Sequence, residues 1–361
     1  MNIAIVGTGK IGLCMALCLD QNDYNVSCYD INNDIINGIN NKTISTIEPY
    51  VEEYLKKSNL KAYNDNNYIE SDIIIVVVQT PSLSDGGYDH KYIDNIIEII
   101  ISKGKQENPK TLIISCTVMP EYCNSIYNKI KDLNYNVCYN PLFIAQSSII
   151  SNILNPDIIL IGETSTESGN IIEDIYKKNI KNNATICKMS LLEAEITKIS
   201  LNCFITAKIT FANMIGDLAK SVYCNPDIIL NAIGTDSRVG NKYLKYGYGF
   251  GGPCFPRDNL ALYNYGISKD MDLILCNTTD NLNNKHLIYQ FNELKHKKEI
   301  TFDYITYKDN STILDESQKL KLALLLSENG SIVTINERIE IINILKEKYG
   351  DKFIYKEKID F

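Results

Sequence analysis

The segment Gly7-Thr8-Gly9-Lys10-Ile11-Gly12 constrains this chain more than any other. It has the spacing G-x-G-x-x-G, follows the apolar run Asn2–Val6 and opens the helix-like stretch Ile11–Gln21. A strand, a glycine turn and a helix in that order open a βαβ unit. Gly7 permits the tight turn, Gly9 lets the backbone approach a pyrophosphate, and Gly12 lets helix and strand pack closely. The helix start, with Lys10 and Ile11 in its first turn, offers unpaired N–H groups and a positive partial charge to phosphates. The next apolar run, Asn25–Tyr29, ends at Asp30. A carboxylate there can accept both ribose hydroxyls and would repel a 2′-phosphate, which favours NAD over NADP.

Downstream, β-branched runs alternate with longer mixed stretches. Further candidate strands are Asp72–Val78, Thr111–Cys116, Asn136–Tyr139 and Ile158–Gly162; candidate helices lie near Tyr50–Lys57, Tyr92–Lys103 and Glu121–Lys131. Continuous runs such as DIIIVVV suit strands covered on both faces. The expected class is α/β, with a Rossmann-like doubly wound sheet over residues 1–190. Leu191–Ser221 has few helix breakers and predicts one long helix. More helix is expected over Asp227–Ile233 and from about Asn259, giving a central helical segment over 191–294 that carries a cysteine loop. The strands Ile300–Thr306, Ser331–Ile335 and Phe353–Lys356, around two helices, predict a shortened C-terminal Rossmann-like unit over 295–361.

The 361 residues exceed the usual span of one core, and 45% are hydrophobic. With 36 basic and 44 acidic residues the net charge is −8, which argues against a general nucleic-acid binder but not against a local basic site for a small anion. No run of 18 apolar residues occurs, so no membrane-spanning helix is expected, and the opening residues lack a signal-peptide pattern. Most of the eleven cysteines sit in apolar runs. No C-x-x-C pair occurs, and His90, His286 and His296 lack metal-ligand spacing. Reduced, buried thiols in a cytoplasmic protein without a metal are the expectation.

Three segments carry chemistry. Val78-Gln79-Thr80-Pro81 and Ser115-Cys116-Thr117-Val118-Met119-Pro120 place hydroxyl residues and prolines at the carboxyl ends of strands, where open α/β sheets bind ligands. Gly249-Phe250-Gly251-Gly252-Pro253-Cys254-Phe255-Pro256-Arg257-Asp258 brings backbone N–H groups close to a ligand and places Arg257 near a thiol, favouring the thiolate.

These segments, with NPDIILIGE at 155–163, EAEITKISLN at 193–202 and SRVGNK at 237–242, resemble the UDP-glucose/GDP-mannose dehydrogenase family. The resemblance runs from Met1 to about Ser317, and GFGGPCFPRD is the family's cysteine signature. It implies oxidation of the C6 alcohol of a nucleotide-bound sugar to the acid with two NAD, through a cysteine-bound hemithioacetal and thioester. UDP-glucose is the expected substrate, with a UDP-N-acetylhexosamine or GDP-mannose as alternatives. By resemblance Cys254 is the nucleophile, Lys198 steadies oxyanions, Asn202 supports Lys198, and Asp258 and Thr117 position or activate water. Thr80, Pro81, Thr117, Gln146 and Arg257 would join the glycine loop at NAD. Phe143, Ile144, Gln146, Lys198, Asn202, Tyr243, Leu244, Lys245, Tyr246, Gly247, Gly251 and Lys308 would line the nucleotide sugar. Arg238 would reach a partner's site in a homodimer.

The chain departs from the family pattern at named positions. Leu142 and Gln146 stand where the family carries glutamates, one of them a proposed water-activating base. Hydrolysis is therefore weakened here or depends on another group. Asp315 replaces an arginine expected to help hold the cofactor. The tail after Ile300 is shorter than a full C-terminal domain. A rival expectation is a degenerate homologue that binds NAD or nucleotide sugar without full turnover; a dehydrogenase that stops at the aldehyde is a third.

Overall fold

The computed structural model describes residues 1–145, 147–309 and 311–358. It divides into two compact units, residues 1–198 and 199–361. The first contains β1 (Asn2–Val6), α1 (Lys10–Asp20), β2 (Asn25–Tyr29), α2 (Asn33–Asn40), α3 (Val51–Lys57), β3 (Lys61–Tyr63), β4 (Ile73–Val76), α4 (Lys91–Lys103), β5 (Lys110–Ile114), α5 (Tyr122–Ile130), β6 (Tyr135–Tyr139), α6 (Ile149–Leu154), β7 (Ile158–Glu163), α7 (Thr166–Asn179) and β8 (Thr185–Ser190). The long helix α8 (Leu191–Ser221) follows and continues into the second unit.

The eight strands lie in the order β3-β2-β1-β4-β5-β6-β7-β8. All pairs are parallel except β6 with β7. The first six positions repeat the doubly wound order, whose reversal between β1 and β4 opens a crevice at the strands' carboxyl ends. Strands such as β4 and β5 are buried at every residue, as expected when helices cover both faces. One core cluster packs Ile3, Ile5 and Ile75 with α1, α3, α6 and α7; the other packs Ala4, Ile74 and Leu112 with α4 and α5. The period-2 alternation of the strands sends neighbouring residues to opposite clusters.

The second unit adds α9 (Pro226–Thr235), α10 (Phe255–Ile267), α11 (Ile274–Leu294), β9 (Glu299–Phe302), α12 (Gln318–Glu328), β10 (Ile332–Glu337), α13 (Ile339–Tyr349) and β11 (Ile354–Glu357). Its three strands are parallel in the order β11-β10-β9. Leu287 of α11 belongs to the core of this small sheet, so the helical segment and the sheet share one interior.

Two expectations change. The cysteine segment is not wholly irregular: α10 begins at Phe255, because Pro256 falls in the first turn, where a missing N–H costs nothing. And α8 is long and apolar enough, by length and mean hydropathy, to cross a bilayer, although no continuous apolar run announces it. Two of its polar side chains bind this chain's own backbone: Glu195 accepts from the amides of Glu121 and Cys123, and Lys198 donates to the Leu142 carbonyl.

Candidate active site

In the first unit the glycine loop has the shape a pyrophosphate requires. Gly7 has φ +91°, and a Cβ there would lie 2.6 Å from the Val77 carbonyl oxygen. A Cβ on Gly12 would lie 2.0 Å from the Gly7 carbonyl oxygen. Gly9, by contrast, faces open space with no atom within 4 Å of such a Cβ. Gly9 is also the N-cap of α1, no side chain caps that end, and Lys10 and Ile11 are exposed beside it. The Asp30 carboxylate ties the loop down: it accepts from the Thr8 amide at 2.7 Å and from the Asn32 amide at 2.9 Å.

At the carboxyl ends of β4 and β5, buried Thr80 donates its hydroxyl to the Thr117 carbonyl at 2.8 Å, which joins two of the proline-ended segments. Pro81 follows on the surface. Beyond Thr117, Glu195 caps the start of α5 with two hydrogen bonds of 2.7 Å, where Glu121 adopts φ +79°. Lys198 is buried; its Nζ donates to the Leu142 carbonyl at 2.9 Å and stands 4.4 Å from the centre of the Phe143 ring. The Leu142 and Ile144 side chains pack into the α1-side core, and Phe143 packs into the α4-side core. Gln146 lies outside the described residues.

In the second unit, Cys254 is exposed at the N-cap of α10. Asp258, one turn on, is 1% exposed and accepts from Asn202 Nδ2 at 2.6 Å. Arg257 Nε stands 3.6 Å from the other carboxylate oxygen. The glycines of the cysteine loop are set by close approach. A Cβ on Gly251 would lie 2.3 Å from the Glu316 carbonyl oxygen, and Gly252, at φ +82°, donates to the Asp315 carbonyl. The position of the missing arginine thus contributes its main chain to the loop. Lys308 is half-buried nearby in sequence, and Thr306 donates to its carbonyl. Arg238 is exposed and held by its neighbour Asp236 in a forked ion pair.

The stretch Tyr243–Gly247 divides by direction. Leu244 is buried against Ala212 and Leu230, and the Tyr246 hydroxyl donates to Asp217. Tyr243 and Lys245 are exposed. The frame of this loop comes from residues that sequence reasoning passed over. Asn213 accepts from the Gly247 amide, His286 and Gln290 contact the Gly247 carbonyl, and Asn283 pairs with both backbone groups of Phe250. Their signal was polar residues at spacings of three, four and seven along α11, with Asn213 alone on α8, a pattern also made by a solvated face.

Residues 1–180 match the family model for the UDP-glucose/GDP-mannose dehydrogenase NAD binding domain, and residues 192–285 match the model for the central domain of the same family. The chain belongs to this family. Its first domain is accordingly an NAD-binding domain, and the open Gly9, the close-packed Gly7 and Gly12 and the bare N-terminus of α1 fit that cofactor. Among curated relatives, a UDP-glucose 6-dehydrogenase of Rickettsia typhi is 34% identical over 273 residues, covering 73% of this chain and 62% of that protein. The chain thus matches less than two thirds of that relative's length. A UDP-glucose 6-dehydrogenase of Bacillus subtilis is 25% identical over 378 residues, covering 100% of this chain and 84% of that protein. Among solved structures, a UDP-glucose dehydrogenase from Pyrobaculum islandicum superposes with a TM-score of 0.88 at 25% identity, covering 99% of this chain and 86% of that one. A UDP-D-ManNAc dehydrogenase from Pyrococcus horikoshii shares the fold, with a TM-score of 0.79 at 23% identity over 93% of this chain and 83% of that one.

Proposed function

We propose that the chain is an NAD-dependent nucleotide-sugar 6-dehydrogenase acting on UDP-glucose. The observation that carries this reading is the exposed Cys254 at the N-cap of α10, within a glycine-rich loop of a chain whose first domain binds NAD. UDP is favoured over GDP by the names of the relatives. The overall change is a primary alcohol, two NAD⁺ and one water becoming a carboxylate, two NADH and three protons. NAD, when bound, accepts the two hydrides.

In this reading the Cys254 thiolate adds to the intermediate aldehyde, forming a C–S bond and an oxyanion. The helix N-terminus beneath it is the end that favours negative charge. Lys198 supplies the fixed cation for developing oxyanions. Leu142 cannot take a proton, and its side chain packs in the core. Water activation therefore falls to Asp258, whose carboxylate Asn202 orients, with Thr117 as the second candidate. Loss of the second hydride from the hemithioacetal carbon converts it into a thioester on Cys254; attack of that water on the thioester carbonyl breaks the C–S bond, releases the acid and returns the thiolate. We also propose a homodimer formed through the exposed apolar face of α8, with Arg238 reaching the partner.

The test is NADH release with a panel of UDP- and GDP-sugars, followed by product mass. UDP-glucose should give two NADH per acid formed. Cys254→Ser should lose acid formation by at least about a thousandfold, because an alkoxide ester lacks thioester reactivity. Turnover on no panel member would leave only a binding function, and full acid production by Cys254→Ser would remove the covalent route.

A further inference from the structure

Residues 248–252 lie against residues 315–319, at the start of α12, in reverse order. Gly252 donates to the Asp315 carbonyl, and a Cβ on Gly251 would lie 2.3 Å from the Glu316 carbonyl oxygen. A Cβ on Gly249 would lie 3.3 Å from Gln318 Cγ, and the Tyr248 ring centre lies 4.8 Å from Lys319 Nζ.

Lys319 ends this run in a poor place for a cation. It is 9% exposed, and it stands two residues past the N-cap Ser317, where the helix presents positive partial charge. The Tyr304 ring encloses the head group from another side, with its centre 2.9 Å from Nζ. Ring faces replace only part of what water gives an ammonium. No hydrogen bond or ion pair joins Nζ to any described residue. The charged groups around it are otherwise engaged or turned to solvent. Glu337 accepts from the amides of Ile305 and Arg338, Asp309 lies 3.8 Å from Lys358, and Asp303 is exposed. Burial outweighs the pull of these carboxylates and brings the Lys319 ammonium down to about 8. The folded chain thus holds this proton less tightly than the unfolded chain does, and at neutral pH the charge lowers stability. Beside it, Gln318 is buried and its Oε1 has no hydrogen-bond partner among the described residues. Polar groups kept inside the molecule at such expense, without partners in the fold, serve a ligand.

We propose that Lys319, with the N-terminus of α12, binds the diphosphate of a nucleotide sugar. The proposal rests on the reading of the loop of residues 243–251 as the nucleotide-sugar cradle and deepens it. An ammonium and a helix N-terminus both select oxyanions, and the diphosphate is the anionic part of such a ligand. Tyr248, which covers Nζ from the loop side, is itself exposed.

Lys319→Met keeps the bulk of the side chain and removes its N–H groups. Urea unfolding without ligand should find the full-length variant at least as stable as the wild type, whereas a lysine serving the fold would be missed. Calorimetry then compares UDP-glucose, UDP, inorganic pyrophosphate and NAD. The variant should bind the first three roughly tenfold more weakly or worse and bind NAD as the wild type does. Unchanged affinity for UDP and pyrophosphate, a loss confined to NAD, or a variant that loses stability together with affinity would each overturn the proposal. Pyrophosphate held through Lys319 with no binding of UDP-glucose would refute the proposed substrate and leave the anion site standing. A wild type that binds none of the first three would overturn both.

Discussion

Asp280 of α11 is half-buried and accepts from Asn259 Nδ2 at 2.8 Å; Asn259 in turn accepts from the Thr206 hydroxyl. Burial pushes this carboxyl up to about 6, and the Asn259 hydrogen bond only partly offsets it. The folded chain therefore holds that proton more tightly than the unfolded chain does. The stability this contributes is complete below the ordinary carboxyl value and is lost as pH rises through about 6. Asp280→Asn keeps an acceptor for Asn259 and removes the charge. It should raise stability at pH 7.5 by about 1 kcal/mol, with the gain vanishing near pH 4, as read by urea unfolding across pH. A gain independent of pH would assign the effect to packing instead.

At the scale of elements, α8 and its neighbours show how side chains hold helix ends. Glu195 satisfies two amides at the start of α5, and burial pushes its carboxyl up while those hydrogen bonds pull it down. Glu195→Ala should lower stability by about 2–3 kcal/mol in urea unfolding, and Glu195→Gln by less, since one amide oxygen still accepts. This anchor lies within EAEITKISLN, where the sequence displayed a motif without its geometry. The six inner strands of the first sheet were legible, the central ones because continuous isoleucine and valine runs admit few other readings. The edge strands β3 and β8 were not: KAY is only three residues, and TICKMS is half-exposed and carries no apolar run. Nor was α2, whose asparagine-rich NDIINGIN reads as a loop until Gly38 is seen packing on Ile44. At the candidate site, the turn of the glycine loop and the bend of the cysteine segment were readable from the spacing of their glycines and prolines. Asn213, Asn283 and His286 were not, because one-dimensional spacing cannot tell a polar residue aimed at a backbone from one aimed at water.

At the scale of the whole molecule, the second unit leaves Phe204, Phe211, Met214 and Leu218 of α8, and Val222 just past its end, more than 40% exposed. Phe204, Phe211 and Leu218 recur every seven residues, a stripe of the kind that packs against another helix. The proposed homodimer would cover it. Sedimentation at micromolar concentration should give about twice the 40.9 kDa chain mass, and Phe211→Glu with Leu218→Glu should shift it to one. A wild type that sediments as a single chain would refute this assembly. The frame around Gly247 and Phe250 bears on how such a molecule can diverge. Asn213, Asn283 and Gln290 grip main-chain atoms, which every residue type possesses. The outward side chains at Lys245 and Tyr248 can therefore be exchanged over generations while the peptide path stays put. On the proposed reading of this loop as a nucleotide-sugar cradle, holding the loop and choosing its ligand fall to different residues, which leaves the second set free to drift.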